Sequence, residues 1–120
     1  MLLDSSLIIY ASKPEYDNLR DWMSRHPICV SALSQLEVLG YHRLTPEDRS
    51  FFLDFFSALP VLPVTPEVID QAIALRQQRK MSLGDATIAA TALVNNLPLA
   101  TPPERESQPI TFQIFDGFLI

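Results

Sequence analysis

Residues 81–101 read MSLGDATIAATALVNNLPLAT, and the reading of this stretch decides the fold. It is an Ala-rich helical segment with one carboxylate, Asp85, near its start, followed by an apolar run from Leu97 to Ala100 that suits a buried strand. Leu83, Ala86, Ala90 and Leu93 recur at helical spacing and predict an inward stripe, with small residues that let the helix approach a sheet closely. Asp85 then falls at a mouth between elements. Its simplest explanation is local: Ser82 precedes it by three residues, the spacing of a capping box, and a carboxylate in a first turn favours the helix dipole.

Toward the N-terminus, Met1 to Leu3 is a short apolar strand ending at Asp4, which stands at the strand's end or as an N-cap. Ser5 to Ala11 follows as a short helix or a continuation of the strand. Pro14 opens a helix through Tyr16, Leu19, Trp22 and Met23 to about His26. Ile28 to Val30 reads as a buried strand of the kind parallel sheets use. Ser31 to Arg43 reads as a helix with Glu37 in its first or second turn, and Ser34, three residues ahead of Glu37, again permits a capping box.

Two later helices announce themselves by cap, N1 proline and acidic first turn: Thr45-Pro46-Glu47-Asp48 and Thr65-Pro66-Glu67. The first carries Phe51, Phe52, Phe55 and Phe56. The second ends in Arg76, Arg79 and Lys80, where cations suit the dipole. Val61 to Val64, broken by Pro63, is a short strand or extended connection. Beyond Ala100 come a polar, proline-rich loop from Thr101 to Pro109 and a last strand near Phe112 to Phe115.

Short strands joined by helices predict an α/β fold of three layers, α/β/α, around a short, mostly parallel central sheet. The 120 residues fit one domain large enough to bury a core. In such sheets chemistry collects beyond the strands' carboxyl ends. Asp4 and Thr101 fall at those ends while Glu37 and Asp85 lie in early helical turns, so all four can converge on one rim.

The composition narrows the function. With 48% hydrophobic residues and three glycines the chain is neither disordered nor fibrous. Cys29, the single cysteine, lies in an apolar run and reads as a buried thiol. No stretch is long enough to span a membrane, and MLLDSSLIIYAS lacks the basic start of a signal peptide, so a cytoplasmic protein is expected. A net charge of −5 argues against coating nucleic acid by bulk electrostatics. It leaves room for a small acidic pocket that binds divalent cations and meets phosphate through them.

Asp4, Glu37 and Asp85 suit a hard cation such as Mg²⁺ or Mn²⁺, which takes carboxylate and water oxygens in octahedral geometry. Ser6 can add a hydroxyl or hold a metal-bound water. Taken singly, each carboxylate reads equally well as a helix cap. The segments LLDSSLIIYA at 2–11, VSALSQLEVLGY at 30–41, LPVTPEVIDQAIALRQQRKMSLGDATIAATAL at 62–93 and LPLAT at 97–101 together resemble the PIN-domain nucleases, and within them the VapC-type toxins of toxin–antitoxin modules.

That resemblance covers most of the chain in order and spacing. It implies a PIN-like nuclease domain over 1–120, acting as a Mg²⁺- or Mn²⁺-dependent endoribonuclease. Asp4, Glu37 and Asp85 match the family's first three acidic residues, Ser6 stands where it has a small polar residue, and Thr101 matches its threonine at the last parallel strand. It further implies an RNA substrate, a cognate antitoxin whose helix lies in an apolar groove, and a homodimer.

The resemblance breaks after Thr101. The family continues with a variable residue, then Asn or Asp, and soon an Asp or His followed by Phe; here residues 101–107 read TPPERES. Pro103 takes the place of the fourth polar residue and Ser107 that of the aromatic. A proline side chain offers no metal ligand and its nitrogen no hydrogen. Glu104 or Glu106 is the candidate replacement from the same loop. The alternative reading is therefore a weakened or inactive relative serving as an interaction module. A phosphoacceptor receiver domain, also acidic-rimmed, would need an acidic pair after the first strand and a lysine at a late strand end, and neither is present.

Other residues have simpler readings. His26 and His42 suit helix ends, Trp22 the core, and Asp116 before Gly117 a turn. The four phenylalanines read first as core, and as a partner surface only if some prove exposed.

Overall fold

Four very short strands build the parallel part of the sheet: β1 (Leu2–Leu3), β2 (Val30–Ser31), β3 (Val61–Leu62) and β4 (Leu99–Thr101). In the computed structural model, which describes residues 1–102 and 113–115, β5 (Gln113–Phe115) pairs antiparallel with β4. Leu2 and Leu3 sit opposite Leu99 and Ala100, and Val30 and Ser31 opposite Val61 and Leu62. A parallel bridge between Leu2 and Cys29 joins the two groups, giving the order β3-β2-β1-β4-β5.

The connections are α1 (Ser5–Ala11), α2 (Asp17–Ser24) entered through a 3₁₀ turn at Pro14–Tyr16, α3 (Ala32–Leu39), α4 (Pro46–Ser57), α5 (Pro66–Gln78) and α6 (Leu83–Val94). Successive strand residues face opposite sides of a sheet, and the core divides accordingly. Leu3, Val30 and Ala100 share a core with Leu7 and Ile8 of α1, Leu19 of α2, Val38 of α3 and Phe52 and Phe56 of α4. Leu2, Cys29 and Leu99 pack instead with Ile88 and Ala92 of α6. These are the two helical layers of the expected α/β/α arrangement.

The composition of α6 follows from its place. One face meets the sheet, and another meets α5, where Ala86, Ala89 and Ala90 pack on Val68, Ala72 and Leu75. A helix covered on both sides must be small-sided and apolar nearly all round. The expected sheet-facing stripe is corrected: Leu83 is 68% exposed, Ala86, Ala90 and Leu93 pack on α5, and Ile88 and Ala92 meet the sheet.

Local sequence sets the element ends. The hydroxyls of Ser31, Thr45, Thr65 and Ser82 accept from the amides of Leu33, Asp48, Val68 and Asp85 at 3.1 to 3.2 Å, each satisfying a donor that the helix start leaves over. At the end of α6, Asn96 takes φ 54°; its amide donates to the Leu93 carbonyl at 3.2 Å and that of Leu97 to Ala92 at 2.9 Å. This is the double-bonded cap that usually employs glycine, with Asn in the left-handed position. It consumes Leu97 and Pro98, so β4 begins at Leu99 rather than Leu97.

Helix α3 stops at Leu39, short of the expected Arg43. A Cβ on Gly40 would come 2.3 Å from the Leu36 carbonyl oxygen, so the chain there runs closer to the helix than any other residue allows. The phenylalanines of α4 belong to the core: Phe52 and Phe56 are buried, and Phe51 and Phe55 pack against the same cluster half-buried. Among the described residues no helix is long and apolar enough to cross a membrane.

Candidate active site

Asp4 stands where β1 passes into α1. Its amide donates to the Ala100 carbonyl at 2.9 Å, locking it to the end of β4, and its carbonyl accepts from Leu7 at 3.1 Å. It holds the N-cap position of α1, yet its side chain makes no capping bond. Glu37 projects from the second turn of α3, and its Oε1 accepts from the Ser5 hydroxyl at 3.0 Å. Its Oε2 lies over the first turn of α6, only 3.0 Å from where a Cβ on Gly84 would stand. Asp85 is the next residue of that turn.

The strand end carrying Asp4, the middle of α3 and the start of α6 therefore meet. Burial, above all, pushes the Asp4 carboxyl up from its ordinary 3.8 to about 6, and the negative charges of Asp85 and Glu37 push the same way. The Ser5 amide and Ser6 hydroxyl pull against this without cancelling it. Asp4 is half-buried, whereas Glu37 and Asp85 are exposed, so the three carboxylates line an opening to solvent. Two ion pairs are recorded among the described residues, Arg20 with Asp17 and Arg25 with Asp21, and neither touches this group.

For Asp85 the helix-start reading and the site reading hold together. The Ser82 hydroxyl takes the Asp85 amide, a bond that uses the backbone and leaves the carboxylate to the mouth. For Glu37 the capping-box reading is corrected: Ser31 caps α3, and Ser34 is buried within it, its hydroxyl 2.8 Å from that of Ser5. Ser6 serves Asp4. Thr101 sits beside Asp4 across the strand pair, half-buried, with its hydroxyl donating to the Pro102 carbonyl at 3.1 Å. Glu104 and Glu106, like Pro103, Ser107 and Asp116, lie outside the described residues.

Ser5, Ser34 and Gly84 are the site residues that sequence reasoning passed over. Ser34 and Gly84 each carried a signal, and Ser5 carried none. Ser34 and Glu37 are three apart and share a helix face, and a glycine inside a helix costs ~1 kcal/mol relative to alanine unless close approach demands it.

The donor set is all oxygen, as Mg²⁺ and Mn²⁺ require, and a cation would cancel the repulsion that Asp4 feels. Among the described residues no three acidic, histidine or cysteine side chains are gathered closely enough to cage an ion directly. The residues thus fit a hydrated hard cation, which keeps several waters of its own, better than a fully protein-ligated one. Beside Glu37, α1, α3 and α4 enclose a cleft of about 420 Å³ walled by Ile9, Val38, Leu44 and Phe52.

Groups elsewhere have structural roles. His26 stacks on Trp22 at 4.5 Å, its Nδ1 2.8 Å from the Trp22 carbonyl at the end of α2. Arg76 donates to the Met81 carbonyl at 3.2 Å across the turn between α5 and α6, while Arg79 and Lys80 are exposed.

A comparison with curated proteins finds no match. Among solved structures, a chain of a toxin–antitoxin complex from Klebsiella pneumoniae is similar, with 23% identity, 82% of each chain covered and a TM-score of 0.64. VapBC2 from Rickettsia felis, bound to a DNA fragment from their promoter, gives 17% identity over 82% of this chain and 83% of that one, with a TM-score of 0.71. FitAcB from Neisseria gonorrhoeae gives 21%, 82%, 84% and 0.64 in the same terms. These likenesses speak to the fold. The family model of the PIN domain matches residues 1–102, the span that includes Asp4, Glu37 and Asp85, and the chain belongs to the PIN domain family.

Proposed function

We propose that the chain is a Mg²⁺- or Mn²⁺-dependent endoribonuclease of the VapC type, the toxin of a type II toxin–antitoxin pair. Asp4, Glu37 and Asp85 are its catalytic and metal-binding carboxylates, and Ser6 and Thr101 support them. The observation that carries this reading is the meeting of three carboxylates at a half-buried Asp4, whose carboxyl burial first, and the charges of Asp85 and Glu37 after it, push up to about 6, with no cationic side chain paired to the group among the described residues. Folded proteins keep such unfavourable arrangements at functional sites.

A divalent cation, when bound, supplies a Lewis acid for the scissile phosphate and for the attacking water. The chain's own residues do the rest. The Asp4 and Asp85 carboxylates offer oxygen ligands, the Ser6 hydroxyl steadies Asp4, and Glu37, held by Ser5, completes the acidic rim. Without a cation the rim repels phosphate, which makes substrate approach conditional on metal uptake. Exposed Arg79 and Lys80 can draw the RNA backbone toward it.

The similar fold in the Klebsiella pneumoniae toxin–antitoxin complex supports an antitoxin as partner. The apolar cleft beside Glu37 offers a place for its helix, which would cover the site. A cytoplasmic homodimer completes the reading.

Pro103, in the place of a polar residue, favours a second reading: a PIN relative of weakened activity kept for its protein partner, unless Glu104 or Glu106 fills the role. RNA cleavage by the purified chain in Mg²⁺ or Mn²⁺, beside Asp4→Asn and Asp85→Asn, separates the two. Metal-dependent cleavage lost in both variants is expected; no difference between them and the parent chain would overturn the enzyme.

A further inference from the structure

We propose that Ser34 and Ser5 are positioning residues for Glu37, a buried two-hydroxyl relay that occupies Oε1 and leaves Oε2 as the oxygen offered to a ligand at the acidic mouth. The inference rests on the nuclease reading above and adds to it which atoms set the geometry of the third carboxylate.

The direction of the relay follows from counting hydrogens. The Ser5 hydroxyl lies 3.0 Å from Oε1 of Glu37 and 2.8 Å from the Ser34 hydroxyl. A serine has one hydroxyl hydrogen, and an ionised carboxylate only accepts. The hydrogen of Ser5 therefore goes to Glu37, and Ser34 donates to Ser5. A bond to a carboxylate is charge-assisted, and a donor behind it strengthens it further.

The burial of these hydroxyls points the same way. Ser34 is fully buried and Ser5 is 7% exposed, and no buried side-chain polar atom among the described residues lacks a partner. A fold asking only for packing would place alanine at Ser34, since serine in a helix interior loses propensity and brings a polar group to be satisfied. Ser5 directly follows Asp4, and Ser34 lies one turn before Glu37 on α3. The relay thus ties the carboxylate of one helix to the strand end that carries another. On the far side Gly84 removes the Cβ that would crowd Oε2, with 3.0 Å between them.

The test uses the full chain with Ser5→Ala, Ser34→Ala, the double variant and Glu37→Gln as reference. Mn²⁺ affinity is followed by the paramagnetic resonance signal of the free ion, RNA cleavage as a function of Mn²⁺, and folding by circular dichroism. Loss of a hydrogen bond that orients a ligand lowers metal affinity ~10-fold or more, and Ser5→Ala is expected to show this. Ser34→Ala should show a smaller loss of several-fold, and the double variant should match Ser5→Ala, because Ser34 acts only through Ser5. The Mn²⁺ concentration for half-maximal cleavage should move by the same factors, with cleavage restored at saturating Mn²⁺. Should Ser34→Ala not fold, Ser34→Cys keeps the volume and weakens the donor. A Ser34 variant that binds Mn²⁺ like the parent, or losses that add in the double variant, would overturn the relay. A parent chain that takes up no Mn²⁺ would overturn the nuclease reading itself, and the relay's role with it.

Discussion

Replacing Asp4 by Asn removes a charge from the mouth while keeping the shape of the side chain and an oxygen for the Ser5 amide and Ser6 hydroxyl. The rise of the Asp4 carboxyl from 3.8 to about 6 means that the fold disfavours its ionised form by ~3 kcal/mol, at ~1.36 kcal/mol per pH unit. Because Asp4 is only half-buried, solvent screening reduces this to ~2 kcal/mol. Between about pH 4 and about pH 6 the folded chain binds more protons than the unfolded one, so the parent loses stability as pH rises through that window.

The Asn variant has no such loss. In the absence of divalent metal at pH 7.5 it should melt ~8 °C above the parent, at ~4 °C per kcal/mol for a chain of this size, and the gap should close toward pH 4. Thermal unfolding by circular dichroism in chelator at the two pH values reads this directly. Adding Mn²⁺ should then raise the parent's Tm more than the variant's. A variant no more stable than the parent at pH 7.5, or a gap that does not change with pH, would refute the electrostatic account of the mouth.

Gly84→Ala should gain helix propensity yet weaken Mn²⁺ binding measured by calorimetry, because the added Cβ meets Oε2 of Glu37 at 3.0 Å. Ser82→Ala removes the cap of α6 and should cost ~1 kcal/mol in urea unfolding. Asn96→Val places a β-branched residue at φ 54° and should cost ~1–3 kcal/mol, while Asn96→Gly leaves stability near the parent's. Phe52→Ala opens the core between α4 and the sheet and should cost ~3–5 kcal/mol in the same assay.

The element order was legible because each helix start carries its own chemistry. Thr45-Pro46 and Thr65-Pro66 cap where their sequence says they do, and the Ala-rich run of α6 reflects a helix covered on two sides. Element ends were less legible where one side chain had two local uses. Ser34 offered a capping box to Glu37 but is held inside α3 by Ser5, a residue 29 positions away that no local pattern points to. The stop of α3 depends on how closely Gly40 approaches the Leu36 carbonyl, and the late start of β4 on Asn96 taking a left-handed conformation.

At the candidate site, the three carboxylates could be named from their places after strands and in early helical turns. Of the neighbours that aim them, Ser6 could be named and Ser5 could not. Ser5 and Ser6 look interchangeable in sequence, yet the first turns to Glu37 and the second to Asp4. Which way each points depends on the helix phase that follows the strand end, a property of the folded chain.

The most direct trial of the account is the anomalous difference map of crystals soaked in Mn²⁺. It should show density at the mouth, bordered by the carboxylates of Asp4, Glu37 and Asp85 and missing from crystals of Asp4→Asn. Manganese bound elsewhere, with nothing between these three residues, would contradict it.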